Sequence, residues 1–408
     1  MDRIYVRRRR MAMILVLAPV GALLLVAARE GLETDAGSGP RANASRQAAP
    51  TISAPNTSPA PNTSPAEQVT VAPPSPHTSR TPGGVYAADT RGNFSPAVAG
   101  FPERVYVPNT HDGTVDVIDP STFKVVDVLD VGGTPHHVTP SWNLRHLFVD
   151  NSGSDRLTEI DPATGTVIRS IPVSSPYNLY FTPDGTKAIV VAEYDRFIEF
   201  RDPHTWRLIR RVSIPWPGVD HMDFSANGRY FLMSCEYSGV VARVSAVSMR
   251  VTRITDVGGL PIDVKLSPDG RVFYVANQGL GGVSVIDPTS MREVAFIPTG
   301  DGAHGFAVSR DAEYLYVSNR LAHTISVISF RTRHVVATWT VGGSPDMLQV
   351  SPDGTQLWAS NRFGNTVSVI STRTGRLIHT IVVGAAPHGL AYFPQPGRYS
   401  LGHNGVYR

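Results

Sequence analysis

A unit of about 42 residues recurs seven times from residue 104 onward, and a repeat of that length leaves few folds open. The polar residue ending an apolar run falls at Asn109, Asn151, Glu193, Glu236, Asn277, Asn319 and Asn361, at spacings of 42, 42, 43, 41, 42 and 42. Each copy holds four short alternating segments. In the fifth they read IDVKL (262–266), VFYVAN (272–277), GVSVID (282–287) and EVAFIPTG (293–300). Side chains alternate across a strand with period two, so these segments are predicted strands rather than helices. Thr182-Pro183-Asp184-Gly185, Ser267-Pro268-Asp269-Gly270 and Ser351-Pro352-Asp353-Gly354 set φ with Pro and finish a turn with Asp and Gly. Asp161-Pro162-Ala163-Thr164-Gly165 does the same at another hairpin. Four antiparallel strands per repeat is the pattern of a propeller blade.

The repeat also predicts how the ring closes. Its first copy begins at a second strand, near 104–109, while the last innermost segment, 387–392, has no second strand after it. The C-terminal strand is therefore expected to complete the first blade, making 84–408 one all-β, seven-bladed β-propeller. Charged residues are 17% of the chain, against 36 Gly and 33 Pro, a balance that suits short strands and tight turns. Cys235 is the only cysteine, which excludes an internal disulfide, a thiolate metal cluster and a CxxCH haem attachment.

Residues 1–83 differ in character. Arg7, Arg8, Arg9 and Arg10 precede 11–28, an 18-residue apolar stretch without a charge. This is the layout of a signal peptide, with Val26-Ala27-Ala28 as a cleavage site, or of an uncleaved signal anchor. Either leaves the rest of the chain outside the cytoplasm, membrane-anchored or secreted. Residues 29–83, rich in Ala, Pro, Ser and Thr, carry too little apolar surface to offset the entropy of ordering and read as a disordered, semi-stiff linker. The basic start accounts for the net charge of +3; the remainder is near neutral and gives no reason to expect a nucleic-acid partner.

Tyr274-Val275-Ala276-Asn277, Tyr316-Val317-Ser318-Asn319, Val105-Tyr106-Val107-Pro108-Asn109 and Thr366-Val367-Ser368-Val369-Ile370 resemble the YVTN family of β-propeller repeats. The resemblance covers roughly 104–393. It implies a propeller of the kind found in bacterial and archaeal surface proteins. Related propellers occur in nitrous-oxide reductase, cytochrome cd1 nitrite reductase and bacterial lactonases. The separate copper and haem domains of the two reductases have no counterpart in this sequence.

In a propeller, the outer-to-inner and second-to-third loops share one face around the central channel. Two rings of residues are expected there. The inner ring is His136-His137, Tyr177-Asn178, Asp220-His221, Ile262-Asp263, His304-Gly305, Asp346-Met347 and His388-Gly389. The outer ring is the seven polar residues of the repeat, with Arg320 and Arg362 beside two of them. Candidate ligand-binding residues are His136, His137, Tyr177, Asp220, His221, Asp263, His304, Arg320, Asp346, Arg362 and His388. His136, His221, His304 and His388 are candidate ligands for a divalent metal, imidazole and carboxylate together suiting Zn, Cu, Fe or Mn. The bland alternative is a hydrated polar funnel lined by strand ends.

Blades three and four replace the outer Asn with Glu193 and Glu236, with Asp220 and His221 between them. Two carboxylates beside a His could perform acid–base chemistry, hold a cation, or cap turns as Asn does. Glu193, His221, Glu236 and His304 are the candidate catalytic residues. Cys235 in the same sector reads as a small buried residue or, alternatively, a nucleophile. The tail 393–408 is expected to pack on the propeller surface beside 84–103, and its His403 has no partner identifiable from sequence.

These features lead to an exported, membrane-tethered, monomeric binding or scaffold protein that takes a small ligand or protein partner at its funnel. The alternatives are an extracytoplasmic metal-dependent hydrolase, lactonase or lyase at the channel mouth, or a funnel-bound redox metal. No GxSxG or HExxH motif supports an enzyme.

Overall fold

The computed structural model describes residues 84–403 and Arg408. The expected signal segment 1–28 and linker 29–83 lie outside the described residues. Among the described residues no helix is long and apolar enough to cross a membrane.

The strands form seven antiparallel sheets of four, each a blade. Blade two shows the plan: an inner strand Pro135–Pro140, then Leu147–Asn151, Arg156–Asp161 and an outer strand Thr166–Pro172. Its inner and second strands are buried throughout, whereas in the outer strand only Ile171 is buried. That gradient follows from packing: the inner parts of each sheet are covered on both faces by neighbouring blades, and the outer edge meets water. The buried apolar residues accordingly fall into seven clusters, one at each blade–blade interface. Between blades three and four, for example, Tyr180, Ile189 and Ile198 pack with Met222, Phe224 and Phe231.

Blade one closes the ring as the sequence predicts. Ala391–Phe393 pairs antiparallel with Arg104–Asn109, joining a strand from each end of the domain. Inner-strand side chains also tie successive blades together. Asp223 accepts a hydrogen bond from Leu266 N at 2.7 Å, Asp263 from Phe306 N at 2.9 Å, and Gln349 from Tyr392 N at 2.9 Å.

The inner ring turns out to be a set of β-bulges. In blades two, four, five, six and seven the pairing slips between the first inner residue and the fourth, so two residues stand opposite one. The extra residues are His136-His137, Asp220-His221, Ile262-Asp263, His304-Gly305 and Asp346-Met347. A bulge re-aims its side chains, which is how consecutive residues come to crowd one channel mouth.

The tail corrects an expectation. It does lie beside the pre-blade segment, with Gly397 N donating to Asn93 O at 2.9 Å. Beyond that point it turns inward rather than remaining on the surface. Tyr399 stacks on Trp142, Leu401 O accepts from Phe181 N at 3.0 Å, and Gly402 pairs with Tyr180. A Cβ on Gly402 would stand 2.2 Å from the Tyr180 ring, so only glycine permits this approach. The tail thus crosses the end of the channel opposite the funnel, and His403 is buried within it.

Candidate functional site

Three side-chain clusters occupy the funnel and channel. The first joins Glu193, Asp220 and Glu236, each offering an oxygen within 4.8 Å of the others. Tyr237 Oη donates to Glu193 Oε1 at 2.6 Å, while Glu193 Oε2 and Asp220 Oδ1 are buried without a hydrogen-bond partner among the described residues. Burial, reinforced by the neighbouring Glu236 charge, pushes Glu193 up to about 8. Burial raises Glu236 to about 7, against the pull of Arg320. Asp220 is held well above the usual carboxylate range by burial and by both glutamates. A cluster raised in this way retains protons at neutral pH unless a cation arrives.

Strand pairing also corrects the outer ring. In blade four Val219 faces Cys235, as Pro261 faces Asn277 and Ala303 faces Asn319. Cys235 therefore holds the outer-ring position, and Glu236 stands one place on, at the register of Gln278, Arg320 and Arg362. Outer-ring asparagines serve the blades themselves: Asn319 donates to Thr324 and Ser326, and Asn361 to Thr366 and Ser368. Glu193 has left that role and faces Tyr237. Burial pushes the Cys235 thiol up to about 12, which favours the small buried residue over the nucleophile.

The second cluster joins His304, Asp346 and His388. Asp346 Oδ1 lies 2.8 Å from His304 Nδ1 and 2.6 Å from Arg320 Nη2, and Arg320 also contacts His304 Nε2. Burial alone would raise Asp346, but Arg320 and His304 hold it well below the usual range. His136 closes this side, with Nε2 2.8 Å from Ser152 Oγ and Nδ1 3.4 Å from His388 Nδ1. Burial, then Arg362, lowers His136 to about 3. Arg362 carries a buried Nη1 with no hydrogen-bond partner among the described residues.

The third cluster is deeper and joins His137, His221 and His403. His137 is able to fill the channel centre because residue 389 is glycine, whose Cβ would otherwise stand 2.1 Å from His137 Nδ1. Tyr177 lies between the clusters, its ring 4.6 Å from that of His136 and 5.3 Å from that of His137.

The four histidines expected to share a metal are thus divided. His221 goes with His137 and His403, His304 with His388 and Asp346, and His136 with Ser152 and His388. Asp263 is drawn away from the funnel: its two carboxylate oxygens accept from Val264 N and Phe306 N. The candidate catalytic group Glu193, His221, Glu236 and His304 is split in the same way. His221 Nδ1 faces Asn178 and Tyr180, and His304 belongs to the Arg320–Asp346 network. His403 is the residue that sequence reasoning missed.

The profile of the YNCE-like beta-propeller matches residues 86–396. The chain belongs to the YNCE-like β-propeller family. No curated protein sequence matches it significantly. Among solved structures this YNCE-like chain is similar to hydrazine synthase of Kuenenia stuttgartiensis, at 22% identity and a TM-score of 0.60, covering 70% of this chain and 97% of that one. A functionally unknown protein from Desulfotomaculum acetoxidans is similar at 17% identity and a TM-score of 0.63, covering 71% of this chain and 98% of that one. Dihydro-heme d1 dehydrogenase NirN, in complex with DHE, is similar at 15% identity and a TM-score of 0.56, covering 77% and 79%. At these identities the likeness is one of fold.

Proposed function

We propose that this chain is an exported, membrane-tethered propeller of the YVTN-repeat type that binds a small zwitterionic ligand in its funnel. The observation that carries this reading is the opposition of acidic and basic groups across the mouth. Three carboxyl groups on blades three and four, Glu193 and Asp220 buried and Glu236 half-buried, face Arg320 and Arg362 on blades six and seven. Both sides hold buried atoms without partners: Glu193 Oε2 and Asp220 Oδ1 on one, Arg320 Nε and Arg362 Nη1 on the other. Leaving buried polar atoms unmatched is costly, and such costs concentrate where a ligand supplies the missing partner. An amine would satisfy the carboxylates and an acid group the guanidiniums. Around them Tyr194, Tyr237, Leu280, Leu321 and Phe363 are exposed and form an apolar rim suited to the body of such a ligand.

The test is calorimetric titration of the full-length protein with ω-amino acids of increasing chain length, with n-alkylamines and alkanoates as single-charge controls. One length should bind at least about tenfold tighter than either control, a gap of about 1.4 kcal/mol. Glu193→Gln and Arg362→Met should each remove that preference. Equal binding of a simple amine, or no binding along the series, overturns the reading.

A specific observation favours a second reading. The Glu193, Asp220 and Glu236 oxygens are close enough to hold a hard divalent cation, as a metal-dependent hydrolase or lyase would need. Tight uptake of Mg2+, Ca2+ or Mn2+ that is abolished by Glu193→Gln would replace the zwitterion with that metal.

A further inference from the structure

The His137, His221 and His403 rings meet in the channel below the funnel, drawn from blade two, blade four and the tail. Ring centroids of His137 and His403 are 3.9 Å apart, those of His221 and His403 4.8 Å, and those of His137 and His221 5.2 Å. All three residues are at most 1% exposed. Each offers a ring nitrogen within 4.8 Å of the other two. Five of their six ring nitrogens, both of His137, both of His403 and Nε2 of His221, have no hydrogen-bond partner among the described residues. Buried imidazoles ordinarily bond to something, and three that pack together while leaving five nitrogens unmatched require a common partner.

A fourth group stands ready. Asp220 Oδ1 lies 3.2 Å from His221 Nε2, yet neither atom is aligned for a hydrogen bond. Two ligands held at about 2.0–2.1 Å from a tetrahedral metal are separated by roughly 3.3 Å. The Asp220–His221 separation is already that of two neighbouring ligands, and His137 and His403 each bring a ring nitrogen within 4.8 Å of one on His221.

We infer that His137, His221, His403 and Asp220 form a closed, four-coordinate site for a transition metal of the zinc class. Nitrogen-rich ligation of this kind suits Zn2+ and its spectroscopic substitute Co2+ better than Mg2+ or Ca2+, which take oxygen. With four protein ligands there is no vacant position for substrate, so the site is structural. Its effect is mechanical. One ligand belongs to the tail and three to the blades, so the metal pins the tail at His403 into the channel and closes the end away from the funnel. Asp220 Oδ1 also belongs to the funnel's carboxyl cluster, so the metal and a funnel-bound amine would compete for that atom, while the three imidazoles serve the metal alone.

The experiment strips the full-length protein with chelator and titrates it with Co2+, then Zn2+. One equivalent of Co2+ should give the intense visible bands of tetrahedral coordination, and Zn2+ should displace it. His403→Ala should weaken binding at least 100-fold, while His304→Ala, which marks the Asp346 cluster, leaves it unchanged. Zn2+ should also protect the tail of the wild-type protein from protease. X-ray absorption on the wild-type zinc form provides a check that needs no variant, with three imidazoles expected in the first shell. The site is overturned by absence of uptake, by uptake that survives His403→Ala or disappears in His304→Ala, or by fewer than three imidazoles on the metal.

Discussion

Arg320, on the loop leaving the second strand of blade six, places a guanidinium nitrogen 2.6 Å from the carboxylate of Asp346, in the bulge that opens blade seven. The side chains are 13% and 0% exposed, so the pair is largely withdrawn from water and bridges two blades. The same carboxylate oxygen lies 2.8 Å from His304 Nδ1, and Arg320 also reaches His304 Nε2, which locks the basic side of the funnel into one geometry.

Removing that guanidinium leaves a buried carboxylate without its cation. Arg320→Met is expected to lose about 3–5 kcal/mol at neutral pH, measured by urea unfolding. The acid limb supplies the sign. Asp346 is held below the usual carboxylate range, so its contribution is present above about pH 4 and is lost as pH falls through its depressed folded value. The difference between variant and wild type should therefore narrow in acid.

Asp150 gives the opposite case. In blades four, six and seven the residue facing the bulge is Ser234, Ser318 or Ser360, and each hydroxyl clasps the bulge backbone; Ser318 accepts from Gly305 N at 2.7 Å. Blade two has Asp150 there, with neither oxygen bonded among the described residues and burial holding its carboxyl well above the usual range. Asp150→Ser is expected to stabilise by roughly 1–3 kcal/mol. The gain should be absent near pH 4 and grow as pH rises, because only the unfolded chain then releases the proton readily.

Glu193→Gln is expected to trade function for stability. Glu193 titrates near 4.5 when unfolded and about 8 when folded, so its cost to the fold grows across that window and levels off above it. The variant should be more stable than wild type by roughly 1–3 kcal/mol at pH 8, and indistinguishable near pH 4.5. A residue whose neutral replacement stabilises the fold while erasing ligand preference is a binding residue.

Two truncations separate closure from plugging. Deleting 387–408 removes the strand on Arg104–Asn109 and leaves a bare inner edge in blade one, so cooperative unfolding should be lost. Deleting 397–408 keeps that strand and should give a folded protein whose Tm falls by several degrees, measured calorimetrically.

The fold was legible because a 42-residue period, strand alternation and Pro-Asp-Gly turns all point to the same blade. Closure was legible from an unpaired strand at each end. Arg320 and Arg362 could be found because they follow repeat asparagines, at a register set by the period. The uneven spacings of 43 and 41 around Glu236 were the signal that it stands one place beyond the ring, with Cys235 in register. Bulges were harder to see, since an extra residue at the start of a strand leaves the alternation after it intact. His403 was not accessible at all. The tail has no periodicity, and its course into the channel depends on contacts with Trp142, Tyr180 and Gln349 that no local pattern encodes.

The order of the chain sets the order of assembly. Strand Ala391–Phe393 and His403 follow every other blade, so six blades are synthesised before blade one can gain its inner strand and before the deepest cluster can receive its third imidazole. Until then the nascent arc has an open inner edge and a channel empty at its core. Ring closure and plugging are therefore both late steps, with the strand that closes the ring preceding the plug along the chain.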